Sequence, residues 1–377
     1  MSKIILIHPQ AGIDWKSNSS VFAVELARRL DNYFEVELLS GAECGSFSRP
    51  INSLPRGSSR LANSLAKRWF QQSKMAIDQL SSFLPCISYL LNHSADVILP
   101  QNGYAGLLAA TCVRGLKQTP ILFTDHNSLL NQEKNLERNL ALKPDRLVAF
   151  NPIVAEYAQK LAPNQIVETI PWGIDPTEFT PVGKAMTTGL SQPCIIAVAP
   201  LNRHSDQRIE LTIEAVARIP EASLLICGEG ADRHYFQALG DRLLGSRRFQ
   251  IRTFAYAQMP QVYRSGSVFT SAVTQEPCGL KYIEAMACGL PVVAADNAVH
   301  SYLIGEGGIT CDVTDADAYS SALQSAIAKH WYQQQPRQNA LRFSWQGITL
   351  LYYQAILKTM TTYNHQITSA NPQQSIN

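Results

Sequence analysis

Residues 276–296 read EPCGLKYIEAMACGLPVVAAD and carry the pattern of a helix followed by a buried strand. Pro277 suits the first turn of a helix, because its fixed φ and missing N–H group cost nothing there. Gly289 fits the left-handed position after the last turn, and Pro291 prevents any continuation. The apolar run 292–295 predicts the next strand. The stretch therefore indicates a helix–strand unit of an α/β protein.

The start of this predicted helix combines an anion site with two carboxylates. The amides of Gly279 and Leu280 would point out of the positive helix end, where phosphate groups bind readily. Glu276 lies at that end, and Glu284 would lie roughly 12 Å further along at 1.5 Å per residue. Carboxylates on either side of an anion site suit the hydroxyls of two different sugar rings. The stretch therefore predicts a nucleotide-sugar site.

The same stretch resembles the signature of glycosyltransferase family 4, the retaining nucleotide-sugar transferases of the GT-B fold. The usual signature is Glu-Pro-Phe-Gly-Leu, three residues, Glu-Ala-Met-Ala-Cys-Gly, one residue and Pro-Val-Val. Only Cys278 departs from it, at the place of the aromatic residue. The resemblance implies an α/β fold of the GT-B type, with two Rossmann-like, doubly wound parallel-sheet domains facing a cleft. The alternative is an ordinary helix–strand unit in some other doubly wound protein.

Short apolar runs and helical stretches alternate along the chain, which predicts parallel sheets with helices on both faces. The turn-rich segment 170–179 resembles the family's crossing between domains. A later helical segment resembles the family's terminal helix, and the polar end of the chain is typical of disorder. We therefore expect an acceptor-side domain over residues 1–172 and a donor domain over residues 173–345. A helix over residues 346–362 would pack back on the first domain, and residues 363–377 would form a disordered tail.

Composition limits the class of protein. Charged residues make up 16% of the chain and its net charge is +2, which argues against a nucleic-acid-binding protein. No apolar run approaches the ~18–20 residues that span a bilayer, and the apolar run 4–7 is too short for a signal peptide. The cysteines form no CxxC pair and are typical of small buried residues in a reducing compartment. We therefore expect a cytoplasmic protein.

Two loops of the first domain carry further candidate residues. His126 follows a predicted strand and resembles by position the histidine of the family's cleft loop, which implies a catalytic contact with the donor sugar. An uncharged imidazole there could hydrogen-bond a hydroxyl or support developing charge. The alternative is that Asp125 and Asn127 cap the next helix. The loop after the first strand corresponds to the family's Gly-Gly loop near the phosphates, and only Gly12 remains of that pair.

The largest departure from the family pattern follows Val198. The family usually has Gly-Arg-Leu here and a lysine some residues later, and these two cations bind the diphosphate. In this chain Ala199 and a proline stand in the Gly-Arg places, and Gln207 lies near the place of the lysine. Arg203 and Arg208 are close enough to substitute, because a planar guanidinium binds phosphate bidentately. A solvent-exposed loop arginine is the alternative for each.

Asp315-Ala-Asp317 imitates the metal motif of the other glycosyltransferase fold. It stands at the start of a predicted helix over residues 318–327, however, where acidic caps are expected. We therefore expect no metal site and no cofactor other than the nucleotide-sugar substrate.

A basic segment covers residues 49–74, which contain no acidic residue. Leu61, Leu65 and Trp69 share one face of a helix there. Such a segment could lie on an anionic membrane surface at the inner face of a cell membrane and present a lipid-linked acceptor. A core-facing helix with a solvated basic back gives the same pattern, so both interpretations stay open.

The family resemblance, together with these features, implies a retaining glycosyltransferase that moves a hexose from a nucleotide diphosphate sugar to a hydroxyl of a glycan, lipid or small molecule. Glu276 would hold the sugar hydroxyls and Glu284 the ribose, while the amides of Gly279 and Leu280 would stabilise the leaving diphosphate. Two alternatives are open: a non-catalytic partner subunit with a partly decayed donor site, and a nucleotide-sugar epimerase. Neither the sugar, the base nor the acceptor follows from the sequence.

Overall fold

A computed structural model of the chain describes residues 1–14, 17–51, 74–101, 103–126, 133–276, 278–331 and 335–370. Contacts between residues divide the chain into two compact units. The first unit comprises Met1–Pro171 and Ile348–Asn377, and the second comprises Trp172–Gly347. This division falls one residue before the boundary at 172/173 that the sequence predicts.

The described part of the first unit contains the parallel strands β1 (Lys3–His8), β2 (Glu35–Ser40), β3 (Ser48–Pro50), β4 (Val97–Pro100), β5 (Leu122–Asp125), β6 (Arg146–Ala149) and β7 (Val167–Thr169). Their order is β3-β2-β1-β4 in one sheet and β5-β6-β7 in another. Isolated bridges, Ile98 to Ile121 and Gln101 to Thr124, join the two sheets edge to edge. The strand order therefore reverses between β1 and β4.

The helices described between these strands are α1 (Asn18–Leu30), α2 (Lys74–Asn92), α3 (Tyr104–Lys117), α4 (Glu133–Leu140) and α5 (Pro152–Leu161). Ile5 and Ile7 of β1 are buried in one apolar core with Leu90 of α2 and Leu107 of α3. Residues 4–7 form a continuous buried run, as expected for a parallel strand with both faces covered.

The described part of the second unit contains one parallel sheet of the order β10-β9-β8-β11-β12-β13. Its strands are β8 (Cys194–Val198), β9 (Ser223–Cys227), β10 (Phe249–Arg252), β11 (Val268–Ser271), β12 (Val292–Ala295) and β13 (Gly308–Cys311). This is the doubly wound order, which reverses between β8 and β11. Ligands of such sheets bind outside the carboxyl ends of the strands at that reversal.

The helices of the second unit are α6 (Ile209–Ala217), α7 (Arg233–Leu243), α8 (Met259–Tyr263), α9 (Leu280–Ala287), α10 (Ala298–Ile304), α11 (Ala316–Ala328) and α12 (Gln335–Leu341). Adjacent strand residues belong to different apolar cores: Ile195 packs with α6, α7 and α11, whereas Ile196 packs with α8, α9, α10 and α12. Side chains of a strand alternate between its two faces, so helices cover both faces of this sheet.

The helix and strand expected in residues 276–296 are confirmed as α9 and β12. Gly279 precedes α9 with a left-handed φ of +61°, and Gly289 follows it with a φ of +89°. The Leu290 amide donates to the Ala285 carbonyl at 3.0 Å, which satisfies an orphan carbonyl of the last turn. Pro277, the predicted first-turn residue, lies outside the described residues.

The last helix, α13 (Trp345–Ala370), passes from the second unit into the first. Within the first unit, its Tyr352 hydroxyl lies 3.1 Å from Thr124 Oγ1, and Arg146 Nε donates to its Thr359 Oγ1 at 3.0 Å. The prediction of disorder is wrong for residues 363–370, which continue this helix. Polar composition suggested disorder, but no glycine or proline interrupts these residues, and an established helix propagates readily. Residues 371–377 lie outside the described part.

Most of the basic segment 49–74 lies outside the described residues, so the membrane hypothesis stays a prediction. At its start, Arg49 belongs to β3, and its Nε lies 3.4 Å from Glu37 Oε1 on the neighbouring strand. Within the described ranges, no helix combines the length and apolarity required to cross a bilayer.

Candidate active site

The loops after β8 and β11 meet at the strand reversal of the second unit. Lys281, in the first turn of α9, places its Nζ 3.2 Å from Oε1 of Gln207 in the loop after β8. The same Nζ lies 3.6 Å from Oε2 of Glu276 in the loop after β11. One ammonium group therefore connects both loops at the place where doubly wound sheets bind their ligands.

Glu276 and Gly279 lie together at the start of α9, as the sequence predicts. The Gly279 amide lies 3.4 Å from Glu276 Oε1, and the Glu276 side chain is 16% exposed. The left-handed φ of Gly279 favours glycine, and a Cβ there would also clash with Leu303. Leu280 follows as the first residue of α9, so its amide belongs to the unsatisfied donors of the helix start. This corner presents one carboxylate, one ammonium and a positive helix end.

Glu284 is buried on α9, and two tyrosines hold it. Its Oε1 accepts a hydrogen bond from the Tyr256 hydroxyl at 2.7 Å, and its Oε2 accepts one from Tyr263 at 2.8 Å. Burial raises the pKa of Glu284 to about 7, although both hydrogen bonds act to lower it. Tyr263 is buried, whereas Tyr256 is 55% exposed. Each carboxylate oxygen keeps a second lone pair, so hydroxyls of a ligand can still be accepted.

The two arginines proposed as phosphate contacts differ in their surroundings. The guanidinium of Arg203 lies 3.8 Å from the ring centroid of Tyr235, and its backbone N–H donates to Asp232. Arg208 caps α6 with a left-handed φ of 47°, which is uncommon for a residue with a side chain. Its side chain forms no hydrogen bond or ion pair with any residue that the structure describes. Arg208 is therefore the arginine better prepared to bind an anion.

In the first unit, His126 lies just after β5 and is buried between aromatic rings. Its ring packs edge-on against Phe22 and Phe150, with centroid distances of 5.2 and 4.7 Å. Burial lowers the pKa of His126 well below its usual value, and the neighbouring His8 lowers it further. The imidazole is therefore uncharged at neutral pH.

Gln101 fixes which ring nitrogen of His126 carries the proton. Its Nε2 donates to Thr124 Oγ1 at 3.1 Å, so its Oε1 is left to accept from His126 Nε2, also at 3.1 Å. Thr124 Oγ1 in turn lies 3.1 Å from the Tyr352 hydroxyl of α13. This chain of hydrogen bonds selects the neutral tautomer protonated at Nε2.

Gly12 has a packing reason to be glycine. Its φ is +78°, and a Cβ there would lie 2.5 Å from the carbonyl oxygen of Ala42. The loop after β1 therefore passes directly against the loop after β2. A contact of Gly12 with the donor stays a prediction.

Asp315 is the N-cap of α11, which confirms its predicted role. Its carboxylate accepts hydrogen bonds from the amides of Asp317 and Ala318 at 2.8 and 3.1 Å. These contacts satisfy two of the free amides at the helix start. The expectation that no metal is required stays a prediction.

Sequence reasoning missed Lys281, Gln101 and the two tyrosines that hold Glu284. Lys281 had one signal: a lysine in the first turn of a helix faces the positive end of the dipole, which is unfavourable without a nearby anion. The tyrosines had none, because residues 256 and 263 reach Glu284 only after the chain has folded.

Comparisons with known proteins connect this corner to glycosyl transfer. Residues 192–329 match the family model described as Glycosyl transferases group 1. The chain is 29% identical over 150 residues to the putative glycosyltransferase EpsD of Bacillus subtilis, covering 38% of this chain and 39% of that protein. It is 27% identical over 192 residues to a GDP-mannose-dependent alpha-(1-6)-phosphatidylinositol monomannoside mannosyltransferase of Mycolicibacterium smegmatis, covering 46% and 50%. The matches thus span half or less of these relatives.

Solved structures share the fold over nearly the whole chain. Sucrose-phosphate synthase from Thermosynechococcus elongatus has a TM-score of 0.75 at 20% identity, with 96% of this chain and 100% of that one covered. Anabaena Alr3699/HepE in complex with UDP has a TM-score of 0.71 at 17% identity, with 95% and 100% covered. At such identities the likeness concerns the fold alone. The second unit thus contains a domain of the glycosyl transferases group 1 kind, in a chain with the fold of the GT-B glycosyltransferases.

Proposed function

We propose that this chain is a retaining glycosyltransferase of family 4 that moves a hexose from a nucleotide diphosphate sugar to an acceptor hydroxyl. One observation carries the proposal: Glu276 and the glycine-led start of α9 lie at the strand reversal of the domain that matches the glycosyltransferase family model. A carboxylate beside an anion site suits a ligand that joins a sugar to a diphosphate.

Each group has a part in the proposed reaction. Glu276 accepts hydrogen bonds from the hydroxyls of the transferred sugar. The amides of Gly279 and Leu280, with the side chain of Arg208, stabilise the charge that develops on the leaving diphosphate. The bond from the anomeric carbon to the diphosphate breaks, and the acceptor oxygen bonds to that carbon on the same face. The acceptor proton passes to the leaving phosphate. Because the acceptor oxygen attacks the anomeric carbon directly, neither Glu276 nor Glu284 acts as nucleophile.

The names of related proteins support a nucleotide-sugar donor. The Anabaena HepE structures hold UDP or UDP-glucose, and the Mycolicibacterium relative is named for GDP-mannose. Uracil and guanine are therefore the first bases to test.

The proposal is tested by donor turnover. We expect the purified chain to release nucleoside diphosphate from at least one sugar in a panel of UDP-, GDP- and ADP-sugars, with the rate unchanged by EDTA because no metal is required. The anomeric configuration of the transferred sugar, followed by NMR, should be retained. Binding of a donor without turnover in the presence of a wide set of acceptors would favour the partner-subunit alternative. Interconversion of the sugar without release of nucleoside diphosphate would favour the epimerase.

A role for His126 in the reaction also stays a prediction. His126→Ala should lower kcat, and Gln101→Met should lower it by a smaller factor of about 10, because it removes the acceptor that selects the tautomer. Gln101→Glu retains an acceptor but adds a negative charge that raises the pKa of His126, so its rate should recover only as the pH is raised and the imidazole loses its charge. If the methionine variant and the glutamate variant lost kcat to the same extent, and stability to the same extent, the tautomer argument would be contradicted.

A further inference from the structure

Lys281 occupies a position that disfavours a positive charge. Its side chain is only 15% exposed, and it lies in the first turn of α9, at the positive end of the helix dipole. Burial lowers its pKa by more than the neighbouring Glu276 raises it. The charged form of Lys281 is therefore less stable in the protein than in water, even with Glu276 nearby.

The contacts of Lys281 leave its charge incompletely compensated. Its distance of 3.6 Å to Glu276 exceeds the ~2.7–2.9 Å of a strong charge-assisted hydrogen bond. Its closer partner, Gln207 at 3.2 Å, is neutral. An ammonium has three protons to donate, and the described residues give it one hydrogen bond, to Gln207, besides the longer ion pair and the Tyr282 ring, whose centroid lies 5.7 Å away. A bound anion would supply the charge that this environment lacks.

The position of Lys281 also defines which anion fits. Its ammonium joins the loop after β8 to the loop after β11, and it approaches the same Glu276 carboxylate that the Gly279 amide contacts. We propose that Lys281 is a second cation, besides Arg208, that binds the diphosphate of the donor, and that Gln207 positions its ammonium. This assignment rests on the proposed function and adds to it a cation that the sequence, which offered Arg203 and Arg208, did not single out.

A purely structural role would give different consequences. If Lys281 served only to pair Glu276, its removal would lower stability and would affect a nucleoside and its diphosphate equally. If it binds the diphosphate, the loss of affinity should appear only when phosphates are present. Affinity as a function of phosphate number therefore separates the two roles.

The experiment compares wild type with Lys281→Met by calorimetry, using uridine, UMP and UDP and the matching guanosine and adenosine series. For the base that binds, we expect the affinity for the diphosphate to fall about 10- to 100-fold, as for loss of a charged hydrogen bond. The affinity for the nucleoside should stay the same, and the monophosphate should be intermediate. The diphosphate affinity of the variant should also depend less steeply on salt, because one charge has been removed.

Two further variants keep the test specific. Lys281→Arg retains the cation and should bind the diphosphate within a few-fold of wild type. The double variant Gln207→Lys, Lys281→Met returns a cation from the opposite loop and should recover part of the loss. Lys184→Met, an exposed lysine of the same unit, is the matched control and should bind like wild type.

The possible failures are distinguishable. Diphosphate affinity in Lys281→Met equal to wild type, or an equal loss for the nucleoside, would overturn the assignment of Lys281 while the proposed function stands. Failure of wild type to bind any of the three nucleoside diphosphates would overturn the proposed function and this assignment together. A circular-dichroism melt of each variant shows whether the compared proteins are folded.

Discussion

Glu276→Ala is expected to lower kcat for donor turnover by about 100- to 1,000-fold, the usual loss when one charged group that stabilises a transition state is removed. The carboxylate is proposed to hold the sugar that moves, so its contacts matter most as the bond to the diphosphate breaks. Binding of the free nucleoside diphosphate, which has no sugar at that position, should be preserved. The measurements are single-donor kinetics and calorimetric titration with the nucleoside diphosphate.

Preserved binding has a specific reason in this site. Lys281 forms its ion pair with Glu276, so removal of that carboxylate leaves the ammonium free to pair with phosphate. The nucleoside diphosphate should therefore bind as tightly as before, or more tightly. Glu276→Gln keeps an oxygen for the Gly279 amide but loses the charge, and its kcat should fall between those of wild type and the alanine variant.

The matched control is Glu221→Ala, an exposed carboxylate in the turn before β9 of the same unit. Its kinetics should equal those of wild type. A full rate in Glu276→Ala would remove Glu276 from the reaction. Parallel losses of kcat, nucleotide affinity and melting temperature would instead assign Glu276 to the stability of the loop after β11.

Local signals made α9 and its strand predictable from sequence. Gly289 and Pro291 mark the end of the helix, and the apolar run after Pro291 has the length of a buried strand. These signals depend only on residues a few positions apart, so distant contacts in the folded protein do not change them. The same signals mark no clear start or end for β13, whose residues 308–311 begin with glycine and are only partly buried.

The contacts that complete the site were not predictable in this way. Lys281 and Gln207 are 74 positions apart and meet only because β8 and β11 are adjacent in the sheet. Arg208 adopts a left-handed φ without being glycine, which its residue type does not predict. The prediction of disorder for residues 363–370 was wrong for a related reason. Composition alone does not show that a helix formed by the preceding residues can continue through a polar segment.

Glu284→Gln is expected to stabilise the protein above pH 7 and to weaken nucleotide binding. The pKa of Glu284 is about 7 in the folded protein and near 4.5 in an unfolded chain. Between these values the folded state keeps a proton that the unfolded state releases, so the free energy of unfolding falls as pH rises from about 4.5 to 7. Glutamine carries no such penalty, and its advantage should grow over that window to at most about 3 kcal/mol.

Ionised Glu284 lowers the stability of the folded protein, but it is proposed to bind the ribose of the donor, and this role would explain its presence. An ionised Glu284 accepts two hydroxyls more strongly than an amide does, so the glutamine variant should bind the nucleoside diphosphate about 10-fold less tightly. Wild type should likewise prefer a nucleoside diphosphate over its 2′,3′-dideoxy analogue, whereas the variant should bind both alike. Urea unfolding of wild type and Glu284→Gln at pH 5 and pH 8 gives the difference in their free energies of unfolding. An unchanged preference for the ribose hydroxyls in Glu284→Gln would show that Glu284 is a buried structural acid held by Tyr256 and Tyr263, with no contact to the donor.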